Sequence, residues 1–256
     1  MCPPTFYDIE YIINPWMNLN NQPDIQKAKE EWEHLYNTYR ELGVSVEIIN
    51  QIKGLPDMVF TANAGTVRNN VFISGNYRYK ERKAEETYFQ HWFKKKGYEV
   101  KNLKHFQGGE GDALFYKNTL YMGYGFRSDR KAHAEMKQLL NVDVVSLHLV
   151  DPYFYDFDTA FCPLGDKAIL YYPPAFAPED QKKIAKIEGA IMMTKNQAEN
   201  FIGNSVYVDG KLLVSYIDDD LKQKLASIKV DPIILNMSEY KKSGGGIKCL
   251  TLYIEK

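Results

Sequence analysis

The chain has 256 residues, 45% hydrophobic and 25% charged, with Lys+Arg 32 against Asp+Glu 33 and a formal net charge of −1. A globular chain of this size buries about three quarters of its unfolded surface and needs no staple. The near-zero balance excludes a nucleic-acid-coating surface, and the absence of any apolar run of about 18 residues excludes a membrane-spanning helix.

In chain order, the first periodic stretch is 23–42. Ile25, Ala28, Trp32, Leu35, Tyr36, Tyr39 and Leu42 follow helical spacing up to Gly43, a natural stop. Residues 44–49 alternate and are rich in β-branched side chains, so a strand is expected. Short strands are expected at 58–61, 65–67 and 71–74, separated by Asn/Gly turns, and a helix over 80–96 closed by Gly97. The order then recurs: a strand at 98–103, short strands at 113–115 and 120–122, a helix at 129–140 and a strand at 142–149. Strands at 159–162 and 168–171 precede a helix at 178–187, entered through Pro178 and acids. Strands at 190–193, 206–208 and 212–215, a helix at 219–228 and strands at 232–235 and 250–254 complete the chain. A pattern of strand pair, helix and strand every 45 to 50 residues points to an array of small α/β units. No linker or low-complexity segment interrupts it, so one domain over 1–256 is expected. The extra strands disfavour a doubly wound sheet and favour a closed α/β ring with loops converging on one axis.

Several segments carry residues suited to chemistry. Three cysteines, Cys2, Cys162 and Cys249, give no Cys-x-x-Cys pair, so neither a disulfide framework nor a zinc knuckle is expected. With no basic-then-apolar leader over residues 1–8, this usage fits a reducing, cytosolic setting. Cys249 follows Gly244-Gly245-Gly246 and precedes a strand, a placement open to a nucleophile or to a buried structural cysteine. The segment 55–65 sets Asp57 and Asn63 around the apolar run containing Phe60. Small Ala62 and Ala64 leave room for a ligand, although both polar residues also suit turns. Glu110 and Asp112 stand one residue apart in a glycine loop. Extended alternation would put both on one face, suited to a metal, a guanidinium or an amine. No third acid or histidine lies nearby, which favours an organic cation over a metal; the alternative is a solvated turn. Arg127 ends a strand and could fork onto a carboxylate, while Ser128 or Asp129 could cap the next helix. Asp156 and Asp158 alternate among aromatics, where an acid needs a partner or a raised pKa. Of the five histidines, His34, His91 and His133 fall on expected helices, His105 in a loop, and His148 on a strand beside Asp151. No metal-type cluster or phosphate-binding glycine loop is present.

Together these segments resemble the guanidino-group-modifying (pentein) superfamily, most nearly the catalytic domain of cyanobacterial arginine dihydrolase and more distantly dimethylarginine dimethylaminohydrolases and amidinotransferases. The resemblance runs through Met1-Cys2-Pro3, Tyr11 to Met17, Pro56 to Gly65, Glu110 to Asp112, Gly123 to Ser128, Cys162-Pro163-Leu164, Leu170 to Pro173 and Lys248 to Leu252. It implies an α/β fold, a five-bladed propeller around an axial site. It implies a hydrolase of arginine-like guanidino compounds without a cofactor, giving ornithine, ammonia and carbon dioxide. In that chemistry Cys249 would attack the guanidinium carbon, and water would cleave the covalent intermediate. Glu110 and Asp112 would hold the guanidinium and Arg127 a carboxylate. Asn14, Asp57, Phe60 and Asn204 match pocket positions, and Asn63 matches an asparagine tied to the second hydrolysis. Cys2 and Cys162 are then packing residues. No nucleic-acid or membrane partner is implied; a homo-oligomer stays open.

One position departs from the family. Its Phe-Tyr-His-Leu-Asp-Thr segment carries the acid/base histidine, and Phe154-Tyr155-Asp156-Phe157-Asp158-Thr159 puts Asp156 there. A carboxylate repels a thiolate where an imidazolium would stabilise it. Three outcomes are open: an inactive guanidine binder, a slow enzyme using a protonated acid cluster, or a divergence toward a different cation. His148 lies eight residues upstream on a different element and is not an obvious substitute.

Overall fold

The computed structural model describes residues 1–254. Helix α1 (Ile25–Glu41) starts where the Asp24 side chain accepts the Gln26 and Lys27 amides. It buries Ala28, Trp32, Leu35 and Tyr39 along one stripe. Four small units follow, each an antiparallel hairpin, a helix, and a third strand parallel to the hairpin's second. The first is β1 (Gly65–Arg68), β2 (Val71–Ser74), α2 (Lys83–Lys95) and β3 (Glu99–Asn102). The second is β4 (Ala113–Tyr116), β5 (Thr119–Tyr124), α3 (Ala132–Leu140) and β6 (Asp143–His148). The third is β7 (Phe161–Leu164), β8 (Ala168–Tyr171), α4 (Pro178–Ile184) and β9 (Ala190–Met192). After the short α5 (Lys195–Glu199), the fourth is β10 (Val206–Val208), β11 (Lys211–Val214), α6 (Asp219–Ser227) and β12 (Asp231–Ile234). The helix is needed because a parallel partner cannot be reached by a tight turn. Hairpin turns use Asn69-Asn70 and Asp209-Gly210, all at positive φ, as two-residue turns matching the strand twist require. A last short helix, α7 (Ser238–Lys241), leads into the Cys249 loop.

The fold is thus mixed α/β with four three-stranded sheets. Each central strand is apolar and buried: Phe72 and Ile73, Leu120 and Met122, Ile169 and Leu170, Leu212 and Leu213. A 3-10 turn precedes the first strand of every unit, at Thr61–Ala64, Gly109–Gly111, Phe157–Thr159 and Ile202–Asn204. The turns at 61–64, 109–111 and 157–159 pack in succession, and the last also meets 202–204.

Several expectations are corrected. Residues 44–49 form no strand; they are held by Ile49 N–H to the Met1 carbonyl (3.1 Å) and the Met1 amine to the Glu47 carbonyl (2.8 Å). Residues 58–61 fall in two 3-10 turns, because Phe60 N–H bonds the Asp57 carbonyl locally while Ala62 N–H goes to the Cys249 carbonyl. Residues 250–254 also lack regular strand pairing. Helix α2 starts three residues late, at Lys83, and α4 stops at Ile184 rather than residue 187. Helices α5 and α7 were not expected; the Thr194 capping box was the available signal for α5.

Candidate active site

The repeated 3-10 turns bring together residues far apart in sequence. Asn63 comes from the first turn, Glu110 and the adjoining Asp112 from the second, Asp158 from the third and Asn204 from the fourth. Cys249 holds the corresponding place after the glycine loop. Gly244 there has φ +81°, and a side chain on Gly245 would collide with Phe60 at 2.5 Å. A narrow cavity of about 10 Å³ is lined by Asp57, Phe60, Asn63, Arg127, Asp156 and Cys249. A larger groove of about 550 Å³ lies between Val44, Trp92, Tyr207 and Leu252, and its lining contains no cysteine or histidine. The candidate site is therefore assigned by its chemistry.

Cys249 is 2% exposed. Its thiol faces Asp158 Oδ2 at 3.4 Å, and Asn204 Nδ2 donates to the sulfur at 3.1 Å. Asn204 Oδ1 accepts the Cys249 amide at 3.1 Å, so this one side chain fixes both the backbone and the sulfur. Burial pushes the thiol pKa well up, and the Asp158 and Asp156 carboxyls push it further. The sulfur is thus a neutral thiol donating to Asp158. Asp158 is itself raised well above a normal aspartate, first by burial and then by Asp156.

Asp156 is 1% exposed. Its Oδ2 lies 3.3 Å from Asn63 Nδ2 and 3.4 Å from Arg127 Nη1, and its Oδ1 is buried without a partner. Asp112 accepts Ser128 Oγ at 2.5 Å and the Phe157 amide at 2.9 Å. Burial and then the Asp156 charge raise its pKa to about 8. Asp57 is raised by burial, with Arg82, Arg127 and the Tyr11 hydroxyl opposing; its Oδ1 and the Tyr11 hydroxyl are both buried, with no other partner.

Glu110 and Asp112 do not share a face. The expected alternation is corrected because Gly109–Gly111 is a 3-10 turn, with Asp112 N–H bonded to the Gly109 carbonyl. Glu110 instead takes Lys248 Nζ at 2.7 Å and the Tyr253 amide at 3.0 Å, and the cavity lining does not include it. Asn14 gives Nδ2 to the Ser243 carbonyl at 3.0 Å and accepts the Trp16 amide at 2.9 Å. It braces the start of the glycine loop and is likewise not in the cavity lining. Arg127 lies over the Tyr155 ring at 4.3 Å. Arg82 was missed by sequence reading. It is 2% exposed, forks onto Glu85 at 2.9 and 2.8 Å, and donates to Asn63 Oδ1 at 2.8 Å. An Arg three residues before a Glu at a helix start was the signal.

His148 stacks on Tyr124 at 4.7 Å and does not line the cavity. Cys2 and Cys162 are buried, with thiol pKa values pushed up to about 12 by burial. Among the described residues no set of three or more His, Cys, Asp or Glu is arranged for a metal, and no helix is long and apolar enough to cross a membrane.

Comparison with known proteins gives concordant findings. A family model described as eukaryotic N,N dimethylarginine dimethylhydrolase matches residues 8–256. A dimethylarginine dimethylaminohydrolase of Mycobacterium tuberculosis is 39% identical over 99% of this chain and 84% of its own length. A bifunctional arginine dihydrolase/ornithine cyclodeaminase of a Synechocystis species is 40% identical over 99% of this chain, which spans only 37% of that protein. The N-terminal domain of a cyanobacterial arginine dihydrolase, solved as a cysteine-to-serine variant bound to substrate, superposes with TM-score 0.94 at 39% identity, covering 98% of this chain and 96% of that one. A dimethylarginine dimethylaminohydrolase of Pseudomonas aeruginosa shares the fold, with TM-score 0.78 at 17% identity over 91% of this chain and 90% of that one.

Proposed function

Because the chain belongs to the N,N dimethylarginine dimethylhydrolase family of guanidino-group hydrolases, we propose that it hydrolyses a guanidinium C–N bond through a covalent intermediate on Cys249. The observation that carries this reading is the Cys249 thiol, held by Asp158 and Asn204 in a cavity shared with Asp57, Asn63, Arg127 and Asp156. In the first half, the Cys249 thiol gives its proton to Asp158 as the sulfur bonds the guanidinium carbon. The C–N bond then breaks and the departing amine takes that proton from Asp158. In the second half, water adds to the same carbon and the C–S bond breaks, regenerating the thiol. With arginine, repetition at the product would give ornithine, ammonia and carbon dioxide, the outcome named for arginine dihydrolases, with Asn63 positioned for the second round.

Asp156 occupies the place of the family's histidine. A missing general acid/base typically costs about 10²- to 10⁴-fold in rate, so turnover is slow. A second reading, guanidine binding without turnover, is favoured by the neutral thiol and by Asp156. Ammonia release from arginine and other guanidino compounds tests the first reading against a Cys249→Ser control. No ammonia or alkylamine above that control overturns it; a ligand-dependent rise in melting temperature with neither released selects the second.

The fold is proposed to close as a five-bladed propeller within one domain, 1–256. Two features support a fifth unit built from the chain ends. Residues 44–49 follow α1 as β3 follows α2, and they bond Met1 through Ile49 N–H. Residues 250–254 follow the Cys249 turn as the first strand of each unit follows its own 3-10 turn.

A further inference from the structure

The four complete units share one strand order. The second strand lies in the middle, antiparallel to the first and parallel to the third, as β2 lies between β1 and β3. The chain ends supply only the outer strands of such a unit. Residues 250–254 stand where a first strand belongs and residues 44–49 where a third belongs, and among the described residues no backbone bond joins the two segments.

One backbone bridge identifies the place between them. The Met1 amine donates to the Glu47 carbonyl at 2.8 Å, and the Ile49 N–H donates to the Met1 carbonyl at 3.1 Å. Bonding to both neighbours of Ile48 is how a parallel strand pairs, and it is the relation of β2 to β3. Met1 therefore holds a middle-strand place opposite Ile48, and the preceding places fall opposite residues 44–47. That is where the groove of about 550 Å³ lies. Four consecutive residues from each segment line it, 44–47 and 251–254, together with Met1, Trp92 and Val206. Among the described residues, the backbone groups of Ser45, Val46 and Leu252 bond to no other residue. Open strand edges of this kind are templates for strand addition.

The groove also has a chemical direction. Its charged lining residues are Glu47, Lys96 and Asp209, and the first two pair at 2.7 Å. Burial lowers the pKa of the Met1 amine to about 6, and an anion placed beside it restores its charge.

Resting on the reading of the chain ends as a fifth unit, we propose that this groove binds an extended apolar peptide with a free C-terminal carboxylate. The peptide adds as the middle strand, parallel to 44–47 and antiparallel to 251–254. Running in that direction, it brings its carboxylate to the Met1 amine. Backbone pairing supplies affinity and side-chain fit supplies preference. The middle strands of the complete units bury Phe72, Leu120, Leu170 and Leu212, and Val44, Val46, Leu252 and Ile254 give the groove the same apolar character.

The probe is acetyl-Lys-Leu-Leu-Val, a copy of β11 with a free carboxylate, titrated calorimetrically into the unmodified protein at neutral pH. Binding is expected to slow amide exchange in both 44–47 and 251–254, and to be at least about tenfold tighter than that of the same peptide as its C-terminal amide. Proline at the second probe position removes a ladder donor and is expected to abolish binding. Equal affinity for acid and amide overturns the contact with Met1. Binding without protection of both segments overturns the placement. A protein with Lys-Leu-Leu-Val joined ahead of Met1 separates the proposal from the reading it rests on. If free peptide fails to bind but this extension slows exchange in both segments, the fifth unit stands and the peptide site falls. If neither slows it, both fall.

Discussion

At the scale of the residue, the sulfur of Cys249 is governed by a neighbouring acid. Asp158 lies 3.4 Å away and, after burial, is the largest influence raising the thiol. Neutralising that acid should therefore favour the thiolate. Asp158→Asn is expected to speed alkylation of Cys249 by iodoacetamide at mildly alkaline pH, because the thiolate is then no longer repelled by a carboxylate. Peptide mapping distinguishes Cys249 from the buried Cys2 and Cys162. An unchanged rate would show that burial alone sets the thiol. Glu110 teaches the complementary point. Its glycine-loop setting suits a guanidinium, and Lys248, beside the cysteine in sequence, holds it at 2.7 Å. That pair ties the second 3-10 turn to the Cys249 loop.

At the scale of the element, the start of α2 bears on the site. Arg82 and Glu85 form a bidentate pair at 2% and 0% side-chain exposure, and Arg82 reaches Asn63 and the Asp57 carbonyl. The pair joins a helix start to both turns of the 56–64 segment. Removing one partner of a buried pair leaves an uncompensated charge and typically costs about 3–5 kcal/mol. Glu85→Ala is expected to lose that much in urea unfolding, with a matching fall in the denaturation midpoint. A loss below about 1 kcal/mol, the level of an exposed pair, would contradict this role. The 3-10 turns are the other elements that matter. Their local bonds end just before a strand begins, which projects one polar side chain per unit toward the site.

At the scale of the whole molecule, four repeated units concentrate acids at one place, and stability should report it. Asp112 titrates near 8 in the folded protein against 3.8 as a reference. Its folded pKa is raised, so the folded state binds its proton more tightly than the unfolded state does. The stabilisation is complete below about pH 4 and is lost as pH rises toward about 8. Asp112→Asn removes that loss. Relative to the unmodified protein, the variant should therefore gain stability progressively across this window, as read from melting temperatures. A constant difference between the two proteins across the window would refute the assignment. Binding of a cation should likewise release protons from the cluster, visible as a buffer-dependent heat of binding.

The sequence by itself determined the alternation of hairpin, helix and strand, because each unit's apolar spacing and Asn/Gly turns act over a few residues. It also marked Cys249, Asn63, Asp112, Arg127, Asp156 and Asn204 as residues to follow, through local motifs and a family resemblance. Only the tertiary structure decided their partners. Cys249 and Asn204 are 45 positions apart, and Cys249 and Asp158 are 91 apart. No local periodicity encodes such distances. The strands expected at 44–49, 58–61 and 250–254 failed for the same reason: β propensity is local, but a strand exists only where another backbone supplies its bonds. The buried Arg82, the diversion of Glu110 to Lys248 and the contact between Arg127 and Asp156 are likewise products of packing, in which burial forces each charge to find a partner the sequence order does not name.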